Sequence, residues 1–249
     1  MTDAIGNVEM VGMVDMTKPP VLGAELLTLG IDTSTVVCAG LVRGGEALAS
    51  GTVEDTHAHV EQLIPMIRRL LADCGLAPVD LGRVAVGVGP GPFTGLRVGV
   101  VAAQVLAEAL SIPVRGVCSL DVLAVQAVES GVAADAQNGF VVVSDARRHE
   151  LYWATYDAAG RRTGGPSVSA PGDVPALPAY GPGAGLYPLA GGALDSAGVL
   201  DAGVLARVAW ELPDAGLEPL YLRRPDADVP TARKSTLPRP RLNHRVVRS

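Results

Sequence analysis

The chain has 249 residues, of which 48% are hydrophobic and 18% charged, and its formal net charge is −6. A chain of this length and apolar content can bury one large core or two modest ones, which excludes a wholly disordered protein. No apolar stretch reaches the roughly 20 residues that span a bilayer, and residues 1–20 lack the basic start and apolar run of a secretory signal. We therefore predict a globular, cytoplasmic protein without membrane contact.

The charge is distributed unevenly along the chain. Residues 223–249 hold eight Lys or Arg against two Asp and carry +6, so the remainder carries −12. The acidic remainder of the chain repels phosphates and is not expected to bind RNA by itself. The basic end contains four prolines and no amphipathic period, which is typical of a solvated tail.

Residues 1–25 show no period of 2 or 3.6 and predict a disordered leader. Regular structure begins at Leu26, where LLTLGI, VVCAGLV and EALASGTV predict three strands in a meander. Gly44 and Gly45 predict the hairpin turn between the second and third strands.

Helical and strand patterns then alternate. From about His59 to Cys74 the apolar residues follow a 3.6 period, and Gly75 stands where the helix would stop. RVAVGVG predicts a strand, and the loop GPGPFTG follows it directly. Further patterns predict a helix over 96–110, a strand over 114–117, a helix over 120–128 and strands at 140–144 and ELYWATY. This order predicts a mixed sheet covered by helices, followed by a second, smaller domain whose layout in the Gly/Pro-rich residues 157–200 is not legible.

The loop GPGPFTGLR, residues 89–97, lies where a phosphate-binding loop would lie, between a strand and a helix. Pro90 and Pro92 remove two backbone N–H donors and no lysine follows, so the loop is not a Walker motif. Thr94 is predicted to cap a helix that begins near Gly95. Arg97 then falls in the first turn, where the helix dipole disfavours a cation, so it meets a carboxylate, an anion, a partner protein or solvent.

Other polar groups give weaker signals. Asp32-Thr33-Ser34 follows the first strand and is either a ligand contact at a strand end or an ordinary Asx/ST turn. Cys38, Cys74 and Cys118 are far apart and show no zinc-binding spacing, which predicts buried, unreactive thiols. His57 and His59 are two residues apart and cannot share a metal on one helix face, so no metal site is expected.

Five motifs together resemble the TsaB (YeaZ) family, from about Leu26 to Pro225. They are IDTS at 31–34, HVEQLIP at 59–65, GPGPFTGLRVG at 89–99, GVCSLD at 116–121 and DARRHELY at 145–152. The resemblance implies an α/β fold of the actin/Hsp70/acetate-kinase (ASKHA) type, with two RNase H-like lobes, the second reduced. Together with the patterns above, it divides the chain into a leader (1–25), a first lobe (26–135), a second lobe (136–225) and a basic tail (226–249), of which the leader and the tail are longer than the family pattern requires. The motif loop comprises Gly89, Gly91, Phe93, Thr94 and Gly95.

The resemblance also implies a role without catalysis. Related TsaD enzymes, which transfer threonylcarbamoyl to the tRNA adenosine beside the anticodon, carry two metal-binding histidines where this chain has Ser119 and Leu123. A leucine cannot ligate a metal and a lone serine is a weak ligand, so we expect no catalytic residues and no metal. The expected role is a subunit that binds and activates a TsaD-like enzyme, recruits a TsaE-like ATPase and meets tRNA only through the complex.

The partner surface of the family uses the two helices of the first lobe. On the second, Val98, Val101 and Val105 form an apolar stripe, and small neighbours would let another helix approach, although the stripe is equally natural as core. Expected interface residues, also used in a homodimer of the chain alone, are His59, Leu63, Ile67, Arg97, Val98, Val101, Ala102 and Val105.

Two enzymatic alternatives remain open at this point. Asp32, Thr33, Ser34 and Asp145 are candidate nucleotide or anion contacts, which would make the chain an independent ATPase or small-molecule kinase, or would place ATP or ADP at the partner junction. A glycoprotease, a label historically attached to the superfamily, is disfavoured because the sequence spacing suggests no nucleophile next to a general base.

Overall fold

The computed structural model describes residues 26–53, 59–134, 136–194 and 198–223. The predicted leader, His57 and the predicted tail lie outside these ranges. Within them, the strands are β1 (Leu27–Asp32), β2 (Val37–Arg43), β3 (Glu46–Val53), β4 (Arg83–Gly87), β5 (Val114–Val117), β6 (Phe140–Asp145), β7 (Leu151–Tyr156), β8 (Arg162–Ser169) and β9 (Ala179–Tyr180). The helices are α1 (His59–Asp73), α2 (Phe93–Leu110), α3 (Ser119–Glu129) and α4 (Ala202–Val208), with 3-10 turns at Pro78–Asp80 and Pro171–Asp173.

The first sheet has the strand order β3-β2-β1-β4-β5. β1, β2 and β3 form the predicted antiparallel meander, whereas β4 pairs parallel to β1 and β5 pairs parallel to β4. A parallel neighbour requires a crossover, and α1 and α2 supply the two crossovers. This arrangement confirms the RNase H-like first lobe.

The second sheet repeats the same plan in shorter form. Its order is β8-β7-β6-β9, with β6, β7 and β8 antiparallel and the two-residue β9 parallel to β6. The connection from β8 to β9 contains a 3-10 turn in the place of the crossover helix α1. The second lobe is therefore reduced, as the resemblance implied.

The two faces of the first sheet have different partners. One face packs against α1 and α2, through residues such as Leu63, Leu71, Val100 and Ala103. The opposite face shares a core with α3, α4 and the second sheet, where Leu123, Phe140 and Leu205 are all within 2% of complete burial. The first lobe thus sits between its own helix layer and the rest of the chain.

α4 returns to the first sheet. A Cβ at Gly30 would lie 2.2 Å from the Ala202 carbonyl oxygen, and one at Gly40 would lie 2.5 Å from the Gly203 nitrogen. Only glycine in β1 and β2 lets the helix backbone come this close. Further along, Ala215 N donates to Gly116 O and Leu220 N to Val88 O, at 2.9 and 2.8 Å. Residues 202–223 therefore pack on the first lobe, which the predicted division at 136–225 did not anticipate.

α2 is long and apolar enough to cross a membrane by length and composition, with a mean hydropathy of 1.4 over 18 residues, but a single such helix is weak evidence of a span. Leu96, Val100 and Ala103 on one side of α2 are buried against the sheet. The apolar character of that side is accounted for by packing in the core.

Candidate functional site

The carboxyl end of β1 carries a fully buried carboxylate. Asp32 Oδ1 accepts hydrogen bonds from Ser34 N at 2.7 Å and Ser34 Oγ at 2.6 Å. Its Oδ2 accepts one from Ser119 Oγ at 2.5 Å. Burial raises the pKa of Asp32 above its ordinary value of 3.8, and the hydrogen bonds from the two serines oppose that rise.

Ser119 connects this carboxylate to the motif loop. Its hydroxyl oxygen accepts from Gly89 N at 3.1 Å, and its backbone N donates to Gly89 O at 2.8 Å. A Cβ at Gly87 would lie 1.7 Å from Asp32 Oδ2 and 2.7 Å from Ser119 Oγ. The end of β1, the end of β4 and the start of α3 therefore meet at a point where only glycine fits.

The turn at Thr33 and Ser34 interlocks with the loop. A Cβ at Gly91 would lie 2.6 Å from the Ser34 carbonyl oxygen, and one at Gly99 would lie 2.3 Å from Thr33 Oγ1. Thr33 Oγ1 donates to Gly95 O at 2.9 Å. From the second lobe, Tyr152 Oη reaches Gly91 O at 3.5 Å. The loop is held by protein groups on several sides.

These contacts bear on the candidate ligand residues. Asp32, Thr33 and Ser34 are 0%, 6% and 4% exposed, and both carboxylate oxygens of Asp32 are occupied by protein donors. Of the two interpretations of Asp32-Thr33-Ser34, a ligand contact or an Asx/ST turn, the structure shows the turn. A ligand that binds Asp32 would have to displace these donors. Asp145, at the end of β6, instead accepts from Arg147 N at 2.7 Å within its own hairpin.

The expected helix cap at Thr94 is wrong. α2 begins at Phe93, and Pro92, with φ −62°, stands at the cap position without a side-chain cap. Proline suits the start of a helix because its missing N–H would have no partner there. Because α2 begins at Phe93, Arg97 is the fifth residue of the helix and lies past the first turn, contrary to the prediction. It is exposed, and its guanidinium lies 5.3 Å from the centre of the Phe93 ring. A cation–π contact with Phe93 thus gives the exposed guanidinium a favourable partner within the chain.

The predicted interface residues divide into two groups. On α2, Val101 and Val105 are 51% and 62% exposed, while Val98 and Ala102 are half-buried. On α1, Leu63 and Ile67 are 1% and 4% exposed and belong to the core, so their assignment to a partner surface is wrong. Burial against the sheet satisfies them within the chain. His59 begins α1, and its side chain lies outside the described atoms.

Two exposed residues near the predicted helices were missed, Ile64 and Tyr221. Ile64, one position beyond Leu63, is 43% exposed, so α1 presents this apolar side chain outward. Tyr221 stacks on Phe93 with ring centroids 4.6 Å apart. The two rings form part of the wall of an open groove of about 420 Å³. Its other lining residues are Arg97, Val100, Val101, Gln104, Leu217 and Pro219. No local pattern could reveal Tyr221, because its partner lies more than a hundred residues earlier.

A second buried carboxylate joins the lobes. Tyr156 Oη, on β7, donates to Asp121 Oδ1, on α3, at 2.8 Å, and the Arg162 guanidinium lies 3.6 Å from the same oxygen. Burial raises the pKa of Asp121, while the hydrogen bond from Tyr156 and the positive charge of Arg162 oppose the rise. Burial raises the pKa of Tyr156 as well, so it stays a donor.

The three thiols are free in the structure. Cys38 and Cys118 are buried as predicted, and burial raises the pKa of Cys118 to about 12, which suppresses the reactive thiolate. Cys74 is only half-buried, so its predicted full burial is wrong. In the described ranges, no three His, Cys, Asp or Glu side chains come together as a metal-binding group. Ser119 and Leu123, the positions compared with metal-binding histidines, are both buried.

Two sheets built on the same plan, each with three antiparallel strands and a parallel neighbour, share a core and define an ASKHA-type α/β protein. Residues 53–190 match the family described as TsaD, tRNA N6-adenosine threonylcarbamoyltransferase. YeaZ from Pseudomonas aeruginosa superposes with a TM-score of 0.63 at 32% identity, covering 79% of this chain and all of that one. The chain belongs to the TsaB/YeaZ family.

Two further comparisons place the chain among bacterial relatives. An uncharacterised protein of Mycobacterium tuberculosis is 44% identical over 207 residues, covering 80% of this chain and 92% of the relative. The Bacillus subtilis tRNA threonylcarbamoyladenosine biosynthesis protein TsaB is 35% identical over 132 residues, or 51% of this chain and 54% of that protein. The match to this TsaB thus spans about half of each protein.

Proposed function

We propose that this chain takes part in the biosynthesis of threonylcarbamoyladenosine in tRNA, as a non-catalytic subunit that binds and activates a TsaD-like enzyme. The pathway is supported by the matched family and by relatives that carry its name. The binding role is supported by one observation above the others, the exposed apolar face of α2.

That face consists of Phe93, Val101 and Val105, all at least 42% exposed. Large apolar side chains that cluster outside a folded core favour association, because each buries apolar area when a partner covers it. The groove beside Phe93 adds a concave feature next to this stripe. We name this surface the α2 face.

The non-catalytic part of the proposal is supported by the two positions compared with metal-binding histidines. The Ser119 hydroxyl is engaged by Asp32 and Gly89, and Leu123 packs in the core shared by the lobes. Both side chains thus have structural partners. A TsaE-like ATPase, and ATP or ADP at the partner junction, belong to the same proposal on the strength of the family resemblance, with tRNA reached through the complex.

In the absence of the enzyme, we propose that the α2 face pairs with a second copy. Arg97 and Glu108 are both exposed and lie three turns apart on one side of α2. A two-fold axis midway between them would place Arg97 of each copy opposite Glu108 of the other, with Val101 near the axis. The face is thus self-complementary in charge as well as apolar.

The test is co-purification with the organism's TsaD-like subunit. Val101→Glu and Val105→Glu should abolish it, while Val199→Glu, at a site of 49% exposure outside the α2 face, should not. Leu63→Glu is unsuitable because it would bury a charge in the core. Failure of the unaltered chain to bind, or equal binding by all variants, would count against the proposed function.

A further inference from the structure

The chain after α4 crosses from the first lobe to the second. Leu220 N donates to the carbonyl oxygen of Val88, directly after β4, at 2.8 Å. Three residues later, the Arg223 guanidinium donates to the carbonyl oxygen of Ala146, directly after β6, at 2.7 Å. β4 belongs to the first sheet and β6 to the second. We name residues 215–223 the linking segment, because they connect the two sheets.

The middle of the linking segment forms one wall of the groove beside α2. Leu217, Pro219 and Tyr221 line the groove on this side. The Tyr221 ring stacks on Phe93 with an angle of 25° between the two ring planes. Phe93 and Val101 belong both to the groove and to the α2 face. A partner that covers the α2 face therefore also meets Tyr221.

The stacked pair is exposed and cannot hold the linking segment in place by itself. Tyr221 is 39% exposed and Phe93 is 42% exposed. One aromatic pair contributes less free energy than is lost in backbone entropy when the several residues around it are fixed. The position of the Tyr221 ring therefore depends on the anchors of the chain on either side of it. On the upstream side, the hydrogen bond from Leu220 N to Val88 O is that anchor.

Arg223 is the anchor on the downstream side. Its Nη1 donates to Ala146 O at 2.7 Å, and its Nε lies 3.2 Å from Glu150 Oε2. The two acceptors lie on the two arms of one turn, which Ala146 N closes by donating to Glu150 O at 3.0 Å. A guanidinium presents both nitrogens in a fixed fork, so the two contacts set the direction of the chain as well as its position.

We propose that Arg223 is a positioning residue for partner binding, because it fixes the linking segment on the second lobe and so holds the Tyr221 ring at the edge of the α2 face. The reduced second lobe thereby shapes a surface that the first lobe presents. The identity of the partner, a TsaD-like subunit, rests on the proposed function. The link from Arg223 to Tyr221 rests on the contacts within this chain.

The experiment is a double-mutant cycle in which calorimetry measures the dissociation constant of the full chain for the TsaD-like subunit. Tyr221→Ala and Arg223→Gln should each weaken binding about tenfold. The double variant should bind no more weakly than Tyr221→Ala alone, because the ring that Arg223 positions is already absent. Arg223→Lys, which keeps the charge but lacks the fork, should weaken binding less than Arg223→Gln.

The matched control is Arg161→Gln, which removes the same charge from an ion pair with Asp157 in the second lobe. The Arg161 side chain is 82% exposed and lies outside the linking segment, so the dissociation constant should not change.

Hydrogen exchange of the chain alone gives a second measurement that needs no partner. The amides of Leu220 and Tyr221, which donate to Val88 O and Pro219 O, should exchange several-fold faster in Arg223→Gln. Exchange in β1 and the melting temperature should stay as in the unaltered chain, which excludes general unfolding as the cause of weaker binding.

Additive losses in the cycle would overturn the inference, since Arg223 would then act independently of Tyr221. Full binding by Tyr221→Ala, unchanged exchange in Arg223→Gln, or equal weakening by Arg161→Gln would also overturn it, and each would leave the proposed function intact. Failure of the unaltered chain to bind would reject the proposed function and with it the partner named here. Faster exchange in Arg223→Gln would still support the link from Arg223 to Tyr221.

Discussion

The Ser119 hydroxyl donates to Asp32 Oδ2 while accepting from Gly89 N, so one side chain satisfies both a buried carboxylate and a backbone amide of the motif loop. Ser119→Ala removes both bonds in a region without solvent. We expect a loss of about 1–3 kcal/mol in the free energy of unfolding, the usual penalty for a buried group left unpaired. Urea denaturation measures it.

The control is Ser130→Ala at the other end of α3, where the residue is exposed and its hydroxyl donates only to Ala127 O at 3.3 Å. It should change stability by a few tenths of a kcal/mol. Similar losses in the two variants would show that the contact with Asp32 is unimportant.

Asp32 should make stability depend on pH. Its pKa in the folded protein is raised above 3.8, so the fold favours the protonated acid and the unfolded chain ionises first as pH rises. The free energy of unfolding should therefore fall as pH rises from about 3.8 through the folded-state pKa, and then level off.

Asp32→Asn removes this titration. Urea denaturation of both proteins between about pH 4 and pH 8 should show the unaltered chain losing stability relative to the variant across that window. Asp121 titrates in both proteins and its contribution cancels in the difference. If the difference in the free energy of unfolding between the two proteins does not change with pH, burial does not raise the pKa of Asp32.

Gly99 gives a steric prediction. Gly99→Ala would place a Cβ 2.3 Å from Thr33 Oγ1, and such overpacking should lower stability by about 1–3 kcal/mol. Adding Thr33→Ala removes the clashing atom, so the double variant should be more stable than the sum of the single changes predicts. Gly172→Ala, whose Cβ would meet nothing within 4 Å, serves as the control. Additive effects would contradict the proposed clash.

The proposed self-pairing of α2 can be tested by charge reversal. Arg97→Glu should weaken a homodimer about tenfold by placing acid opposite Glu108, and Arg97→Glu/Glu108→Arg should restore it. Sedimentation equilibrium measures the dissociation constants. Arg43→Glu, an exposed change outside the α2 face, should have no effect. If the double reversal fails to rescue, the two-fold arrangement is wrong.

Much of the fold could be predicted from local pattern. The meander, α1 and the strand before the motif loop follow from periodicity, since burial on one face imposes the spacing of apolar residues. The same periodicity cannot say whether an apolar helix face meets its own sheet or another protein. That is why Leu63 and Ile67 were assigned to the interface although they lie in the core.

The remaining features depend on contacts that join distant residues. Tyr221 reaches Phe93, and α4 fits against Gly30 and Gly40, through tertiary packing that leaves no mark on the short segments involved. Asp32 was singled out correctly as a special position. Its burial became visible only when Gly87 and Ser119 were placed around it.

The return of residues 202–223 to the first sheet has a consequence for biosynthesis of the chain itself. The strands β1 and β2 leave the ribosome early, yet α4, the helix that covers one of their faces, is translated only after the strands of both sheets. During synthesis that face lacks α4 and exposes apolar surface, the condition in which nascent chains are prone to aggregate. A chain terminated prematurely before residue 202 would contain the strands of both sheets but would lack the helix that covers the first sheet. It should therefore be a substrate for chaperones and proteases.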